Sequence, residues 1–353
     1  MAVNCKHPVR LLAPKPQLSK RDGTKHSGER TNSKSRPGLH LDLTDRNITR
    51  MRRTFSEFRW LLGCILNHPS NRDHRFGAFC RFAWWQIRKR LFKRPAIIRV
   101  GETRRFKVVC DSPFSSTVIY NALPDWDEMN FLLRFLRPSD GFIDIGANVG
   151  FYTVLASTIV NKGPLLAFEA NPRNVEILRD QVKLNSLGNA DVFSTALGNS
   201  NGDISFLDSG RETGSIAEGG EAAGKLITVP CVRLDDCLEG RALPDCVVAK
   251  MDVEGCEALV LEGAKNLLEN GRITIWLFEL NDVALHEHGT SAESLLLMFS
   301  QNGYGIAYWD EQHQRIGRRG DESDISRANY LACRDIGSIE RRVLASASQG
   351  TAA

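Results

Sequence analysis

From residue 141 onward the chain alternates short apolar runs with stretches of helical spacing. Residues 142–145, 165–169, 190–194, 247–251, 273–279, 305–309 and 329–333 are apolar runs of strand length. Between them, residues 150–160, 172–186, 255–269 and 291–302 carry helical character. Strand and helix in turn predict a largely parallel, doubly wound α/β sheet. Residues 202–230 break the rhythm. Gly202 to Phe206 and Leu226 to Val232 flank a polar, glycine-rich stretch, which predicts a β-hairpin insertion. Upstream, residues 97–122 alternate in strand fashion (Ile98, Val100; Phe106, Val108; Val118, Tyr120). Asp127 to Leu136 predicts a helix that ends at Arg137-Pro138-Ser139-Asp140-Gly141.

Residues 51–94 have a different pattern. Phe55, Phe58, Trp60, Leu61, Leu62, Ile65 and Leu66 have helical spacing and stop near Pro69. A second stretch holds Phe79, Phe82, Trp84, Trp85, Ile87, Leu91 and Phe92, studded with Arg75, Arg81, Arg88, Lys89, Arg90, Lys93 and Arg94. Two readings stand. One is a helical hairpin docked on the main domain with its cations in water. The other is an amphipathic segment lying in a membrane interface. The hairpin is the favoured reading, because both apolar faces need burial. Nucleic-acid binding ranks last, since no known module pattern is present. Residues 1–50 are rich in Lys, Arg, Ser and Pro and lack hydrophobic period, the composition of a disordered tail. The chain thus divides into a basic tail (1–50), a basic amphipathic helical extension (51–96), a β/α lead-in (97–140), a doubly wound α/β domain (141–335) and a C-terminal tail (336–353).

Charge sharpens that division. The net charge of +4 conceals 23 Lys/Arg against 6 Asp/Glu in residues 1–100, and 23 against 36 in the remainder. At 42% hydrophobic and 25% charged, the chain has an ordinary globular composition. Its nine cysteines form no C-x-x-C pair, which argues for reduced thiols and against a disulfide framework or zinc site. No run of 18 apolar residues and no apolar segment near Met1 is present. The expected location is the cytoplasm, with peripheral contact to the inner face of a membrane as an extension through residues 51–94.

The chemistry concentrates at residues 142–150, Phe-Ile-Asp-Ile-Gly-Ala-Asn-Val-Gly. An apolar strand, a glycine turn and a helix form the arrangement that binds nucleotide-like ligands. A dinucleotide fingerprint is G-x-G-x-x-G; this turn reads D-x-G-x-N-x-G. The Asp144 carboxylate is a poor neighbour for a pyrophosphate. It is a good one for a ligand carrying an ammonium and a sulfonium, and S-adenosylmethionine is that ligand. Glu169 closes the next strand, where an acid can accept from both ribose hydroxyls at roughly 1.5–3 kcal/mol per charge-assisted bond. The plainer alternative is that Asp144 caps its turn and Glu169 is a solvated strand end.

A second acidic segment, residues 247–255, ends an apolar strand in Asp252 and Glu254 before Gly255 opens a helix. Another strand ends at Glu279. In an open parallel sheet these ends border the ligand crevice. The acids could steady a cationic ligand, orient a hydroxyl acceptor or hold a divalent ion through oxygen, although no metal is expected. Glu254 could instead be a helix N-terminal acid and Glu279 a structural one. Lys250 reads as their salt-bridge partner. His286 and His288 follow the Glu279 strand and could reach an acceptor, or could be plain loop histidines.

The segments F-I-D-I-G-A-N-V-G-F-Y, A-F-E-A-N-P, V-P-C-V-R-L-D-D, A-K-M-D-V-E-G-C-E-A-L-V-L-E-G-A and L-F-E-L together resemble the FkbM-type methyltransferases over roughly residues 120–335. The resemblance implies a class I Rossmann-like fold, a seven-stranded sheet with an antiparallel last strand, and S-adenosylmethionine as methyl donor. It implies O-methylation of a hydroxyl on a glycan, glycolipid or secondary metabolite. Carried onto this chain, Asp144, Gly146, Asn148, Gly150 and Glu169 match the donor site, and Asp252, Glu254 and Gly255 match a second signature near donor and acceptor. Asp252 counts for both the donor and the catalytic set. Asp252 and Glu254 are the first candidates for general base and His286 the second. Met251 stands where the family more often has Ile, and residues 1–100 fall outside the resemblance. The competing functions are a nicotinamide-dependent oxidoreductase, disfavoured by the missing G-x-G-x-x-G, and a non-catalytic protein with a basic interaction surface.

Overall fold

The computed structural model describes residues 58–208, 214–216, 225–321 and 327–349. The basic tail expected over 1–50, and Phe55, lie outside the described residues. The chain divides into two compact units, residues 1–75 and 76–353. In the first, helix α1 (58–67) stops as its sequence predicts. A 3-10 turn at Pro69–Asn71 follows, in which the His68 ring accepts from the Ser70 amide.

The second unit begins within α2 (Arg75–Leu91), followed by β1 (Ala96–Val100), β2 (Arg104–Val108), α3 (Pro113–Asn121) and α4 (Trp126–Phe135). Then come β3 (Gly141–Ile145), α5 (Phe151–Ala156), β4 (Leu165–Glu169), α6 (Pro172–Leu184), β5 (Ala190–Ser194) and β6 (Ala196–Leu197). The excursion holds β7 (Gly202–Asp208), β8 (Gly214–Ile216) and β9 (Lys225–Val232), after which α7 (Leu234–Leu238) leads to β10 (Val247–Met251). The chain closes with α8 (Glu257–Gly263), α9 (Lys265–Glu269), β11 (Ile275–Glu279), α10 (Asp282–Glu287), α11 (Ala292–Gln301), β12 (Gly305–Asp310), β13 (Arg315–Arg318), β14 (Asn329–Cys333) and α12 (Ile336–Gln349).

The main sheet runs β13-β12-β14-β11-β10-β3-β4-β5. Neighbours among β11, β10, β3, β4 and β5 are parallel, and β14 lies antiparallel between β11 and β12. This is the doubly wound, mostly parallel sheet with an antiparallel last strand that the sequence predicts. β13 adds an eighth strand by pairing antiparallel with β12 at the edge. The expected hairpin insertion is β7 paired with β9, widened by β6 and β8 into a four-stranded sheet. On one face of the main sheet Ile143, Ile145, Ala249, Met251, Trp276 and Phe278 join the core with Leu261 and Phe299. Each large side chain so buried contributes about 1.5–3 kcal/mol. Alternation puts Asp144 and its cross-strand partner Lys250 on the other face.

Three expectations of local structure need correction. Residues 113–121 are helix, not strand. Ser112 caps the helix by accepting from the Ser115 amide at 2.7 Å, and Pro113 opens it, so start signals override the apparent alternation of Val118 and Tyr120. The predicted helix 255–269 is two helices. Gly263 presses on the backbone of Gly198, where a Cβ would collide, and the chain leaves helical geometry at Ala264. Residues 336–349 form α12 rather than a plain tail, with Ile339 and Val343 buried and Arg342 paired with Asp140.

Candidate active site

β3 delivers Asp144 and then turns sharply. Gly146 has a φ of +76°, and a Cβ there would collide with the Asp252 carbonyl, so only glycine lets the two strand ends lie this close. Asn148 (φ +52°) and Gly150 (φ +85°) complete the turn in left-handed conformations. Asp144 is 1% exposed. Its Oδ2 accepts from the Thr153 hydroxyl at 2.6 Å, and its Oδ1 has no hydrogen-bond partner among the described residues. Burial pushes this carboxyl upward, while Lys250 and the Thr153 hydroxyl hold the rise in check.

Glu169, at the end of β4, ties two loops together. It accepts from the Asn148 amide at 2.7 Å and the Asn171 amide at 2.8 Å. Burial raises its carboxyl above the ordinary range and these amides oppose the rise. Oε1 also accepts from Asn174 Nδ2 at 3.5 Å, so of the roughly four lone-pair sites of a carboxylate the spare one is on Oε2. Asn148 Oδ1 and Asn171 Nδ2 are also buried without partners. Among the described residues, two acceptors and one donor are therefore left unsatisfied at the end of β3 and on the loops beyond β3 and β4, which native interiors rarely tolerate. A polar ligand bearing ammonium and hydroxyl groups fits that set, so the residues suit S-adenosylmethionine.

β10 brings the second cluster beside the first. The Asp252 amide donates to the Ile145 carbonyl at 3.1 Å. Lys250 Nζ donates to Asp252 Oδ2 at 2.9 Å and lies 4.8 Å over the Tyr152 ring. Burial works against the ammonium, but Asp252 and Asp144 outweigh it and raise Lys250 above the ordinary lysine range. Lys250 is thus the salt-bridge partner the sequence suggests. The Tyr152 hydroxyl donates to Asp125 at 2.8 Å and is pushed well upward, chiefly by burial. Glu254 is exposed in a left-handed conformation (φ +53°) at the rim. Gly255 packs so tightly under α10 that a Cβ would collide with the Ala284 carbonyl.

Two acids carry more weight than the sequence shows. Glu257 is buried and accepts from the Val253 and Gly255 amides, closing the turn from inside; burial pushes it up to about 7. Glu279, at the end of β11, has no hydrogen bond or ion pair for its carboxyl among the described residues. Burial, then Asp252, Glu254 and Glu257, push it up to about 8 while Lys250 opposes.

The structure therefore brings together Asp144, Gly146, Asn148, Gly150, Glu169 and Asp252, and leaves Glu254 at the margin. His286 is 62% exposed and its Nδ1 sits 2.6 Å from the Asp282 carbonyl of its own helix; His288 is the histidine that meets Gly255. Sequence reasoning missed Thr153, Tyr152 and Asn171. Asn171 alone had a signal, standing before Pro172 as a helix cap. Among the described residues no group of three or more His, Cys, Asp or Glu is placed to hold a metal ion.

Residues 144–306 match the family model of the methyltransferase FkbM domain. The hexuronic acid methyltransferase AglP of Haloferax volcanii is 29% identical over 196 residues, spanning 54% of this chain and 77% of that protein. Two solved structures are also similar, each at 14% identity and a TM-score of 0.32. One is precorrin-6y C5,15-methyltransferase from Geobacter metallireducens, covering 57% of this chain and 86% of that one. The other is Aeropyrum pernix fibrillarin with bound S-adenosyl-L-methionine, covering 59% and 76%. Scores this low add nothing to the strand order given above. Neither the oxidoreductase nor the non-catalytic reading finds support in these matches. Residues 144–306 are thus a methyltransferase FkbM domain by similarity, and the protein is an S-adenosylmethionine-dependent methyltransferase.

Proposed function

We propose that this enzyme methylates a free hydroxyl of a glycan or a related small molecule, with a saccharide that carries a hexuronic acid as the first candidate. The observation that carries the reading is the pairing of a buried donor turn with Asp252 on the neighbouring strand end, joined by the similarity to a hexuronic acid methyltransferase. S-adenosylmethionine, when bound, supplies an electrophilic methyl on a cationic sulfur. Asp144, Gly146, Asn148, Gly150 and Glu169 hold it. Asp252 receives the proton of the acceptor hydroxyl, Lys250 aims that carboxylate through its hydrogen bond to Oδ2, and Glu254 at the rim orients the acceptor. His286 is the second candidate for the base. Orienting the acceptor is the largest expected contribution, about 7–11 kcal/mol. Contact with the inner face of a membrane through 51–94 belongs to the same reading, as a route to acceptors carried on lipid.

A hexuronic acid offers both hydroxyls and a carboxylate, and only the hydroxyls need a base. The test is a labelled-methyl assay with glucuronate-containing and neutral oligosaccharides, with the product located by mass fragmentation. An ether product whose formation drops at least about a hundredfold in Asp252→Asn, with donor affinity retained, supports the proposal. A methyl ester, or an ether formed undiminished by that variant, overturns it.

A further inference from the structure

Helix α2 is fixed by one face. Ala78, Phe82 and Trp85 are buried. Trp85 Nε1 donates to Ser116 Oγ at 3.0 Å, and Gln86 Nε2 donates to the Tyr120 hydroxyl at 2.7 Å. The Arg81 guanidinium donates to the Ile119 and Tyr120 carbonyls at 3.1 Å. These bonds settle which way the helix is turned on α3.

The opposite face is apolar and uncovered among the described residues. Phe76 is 80% exposed, Phe79 42%, Trp84 48%, Ile87 56% and Leu91 73%, with Phe92 at 62% just beyond the helix end. Positions 76, 79, 84, 87 and 91 fall on one side of a 3.6-residue period. Scattered exposed apolar residues are ordinary, but a stripe the length of a helix is not. Its charge setting is equally one-sided. Residues 75–101 contain eight Lys/Arg and no Asp or Glu. Arg75, Arg90, Lys93, Arg94 and Arg99 are exposed, and the Arg88 guanidinium lies 5.4 Å over the Trp84 ring.

We propose that this outward face of α2, with Phe92 and the cations around it, docks on the surface of an anionic lipid bilayer. Rings and aliphatic side chains would enter the boundary between headgroups and acyl chains, and the cations would meet lipid phosphates. A purely hydrophobic protein partner would not call for the exposed cations Arg75, Arg90, Lys93, Arg94 and Arg99 in a stretch without an acid; a bilayer rich in phosphate does. No described helix is long and apolar enough to cross a membrane, so α2 lies along the surface. The inference deepens the membrane contact named in the proposed function and rests on it, but vesicle binding and the chemistry of the acceptor are measured separately and fail separately.

The experiment is co-sedimentation of the full chain with vesicles of phosphatidylcholine alone and of phosphatidylcholine mixed with phosphatidylglycerol, at low and high salt. The parent should pellet with the mixed vesicles at low salt and be released by high salt. A triple variant, Trp84→Ser with Ile87→Ser and Leu91→Ser, and a charge variant, Arg90→Gln with Lys93→Gln and Arg94→Gln, should each bind at least about tenfold more weakly. Both should retain parental affinity for S-adenosylmethionine, which shows that the methyltransferase domain is folded. Absence of pelleting with anionic vesicles, or equal pelleting of parent and both variants, overturns the proposal. So does a concentration-dependent dimer that the triple variant abolishes without any vesicle binding, which would make the stripe a contact between copies.

Discussion

Glu279→Gln isolates the electrostatics of the site, because the substitution keeps the shape and removes the titration. In the folded chain the Glu279 carboxyl is held up to about 8, against an ordinary 4.5, first by burial and then by Asp252, Glu254 and Glu257. The folded state therefore binds a proton that the unfolded chain gives up. Stability from this group is fully present below about pH 4.5 and is lost as pH rises toward about 8. A shift of that size corresponds to a ceiling of about 5 kcal/mol. Solvent reaches part of this half-buried side chain, and neighbouring acids can take up the proton in its place. These effects reduce the expected change to about 2 kcal/mol. Glutamine is neutral at every pH and avoids the loss.

Urea unfolding of parent and variant across that window reads the difference directly. The two should be of nearly equal stability at the acid end. The variant should gain steadily through neutrality and lead by about 2 kcal/mol at the alkaline end. Subtraction cancels every shared group that does not interact with Glu279, and leaves its coupling to the neighbouring acids within the difference. A difference that does not change with pH would refute the reasoning, since the carboxyl would then be ionised throughout. A variant that loses ground as pH rises would refute it more strongly, by showing that the anion is stabilised in the fold.

Lys250→Met should cost about 2 kcal/mol near neutrality, less than a fully buried pair because Asp252 is 41% exposed, since it removes the cation beside buried Asp144 and paired with Asp252, and chemical denaturation will measure it. That loss should shrink as pH falls and the carboxyls take up protons; a loss constant with pH would mean that packing on Tyr152 dominates. Binding of S-adenosylmethionine should release protons near neutral pH, since Glu257 and Glu279 are held up to about 7 and about 8 and an incoming cation lowers both. Calorimetry in buffers of contrasting ionisation enthalpy will count them, and a heat independent of buffer would show that the donor does not sense these acids.

The strands were legible because their burial is extreme. β3, β4 and β10 are buried at every position, so they read as unbroken apolar runs, and the acids Asp144 and Lys250's neighbour Asp252 stand out against them. α3 was misread because Val118, Ile119 and Tyr120 are all buried, which leaves no helical period in so short a stretch, while its cap at Ser112 is a local signal easily passed over. The break between α8 and α9 depends on Gly198, more than sixty residues earlier, and no local pattern encodes such a contact. β13 contains Arg315 and Arg318 and escapes notice because an edge strand needs little apolar surface. Within the site, strand-end position identified the acids but not their partners. Nothing about Thr153 or Tyr152 in sequence announces that one hydroxyl will meet Asp144 and the other ring will lie beneath Lys250.

That missing layer changes the electrostatic picture. Read along the chain, the strand ends form a floor of bare carboxylates. Folded, the floor carries less charge than that: Lys250 pairs with Asp252 beside Asp144, while burial drives Glu257 and Glu279 toward their protonated forms. A strongly anionic cavity would be costly to fold, because like charges in a poorly solvated site repel. Neutralising it with protons and one lysine avoids that cost and keeps acceptor atoms in place. A cationic ligand can then displace protons from Glu257 and Glu279 and so add negative charge to the site on arrival. The low-dielectric interior that makes the empty floor shed its charge also strengthens the attraction once a sulfonium is present. Burial and ligand selectivity at this site therefore share one physical origin.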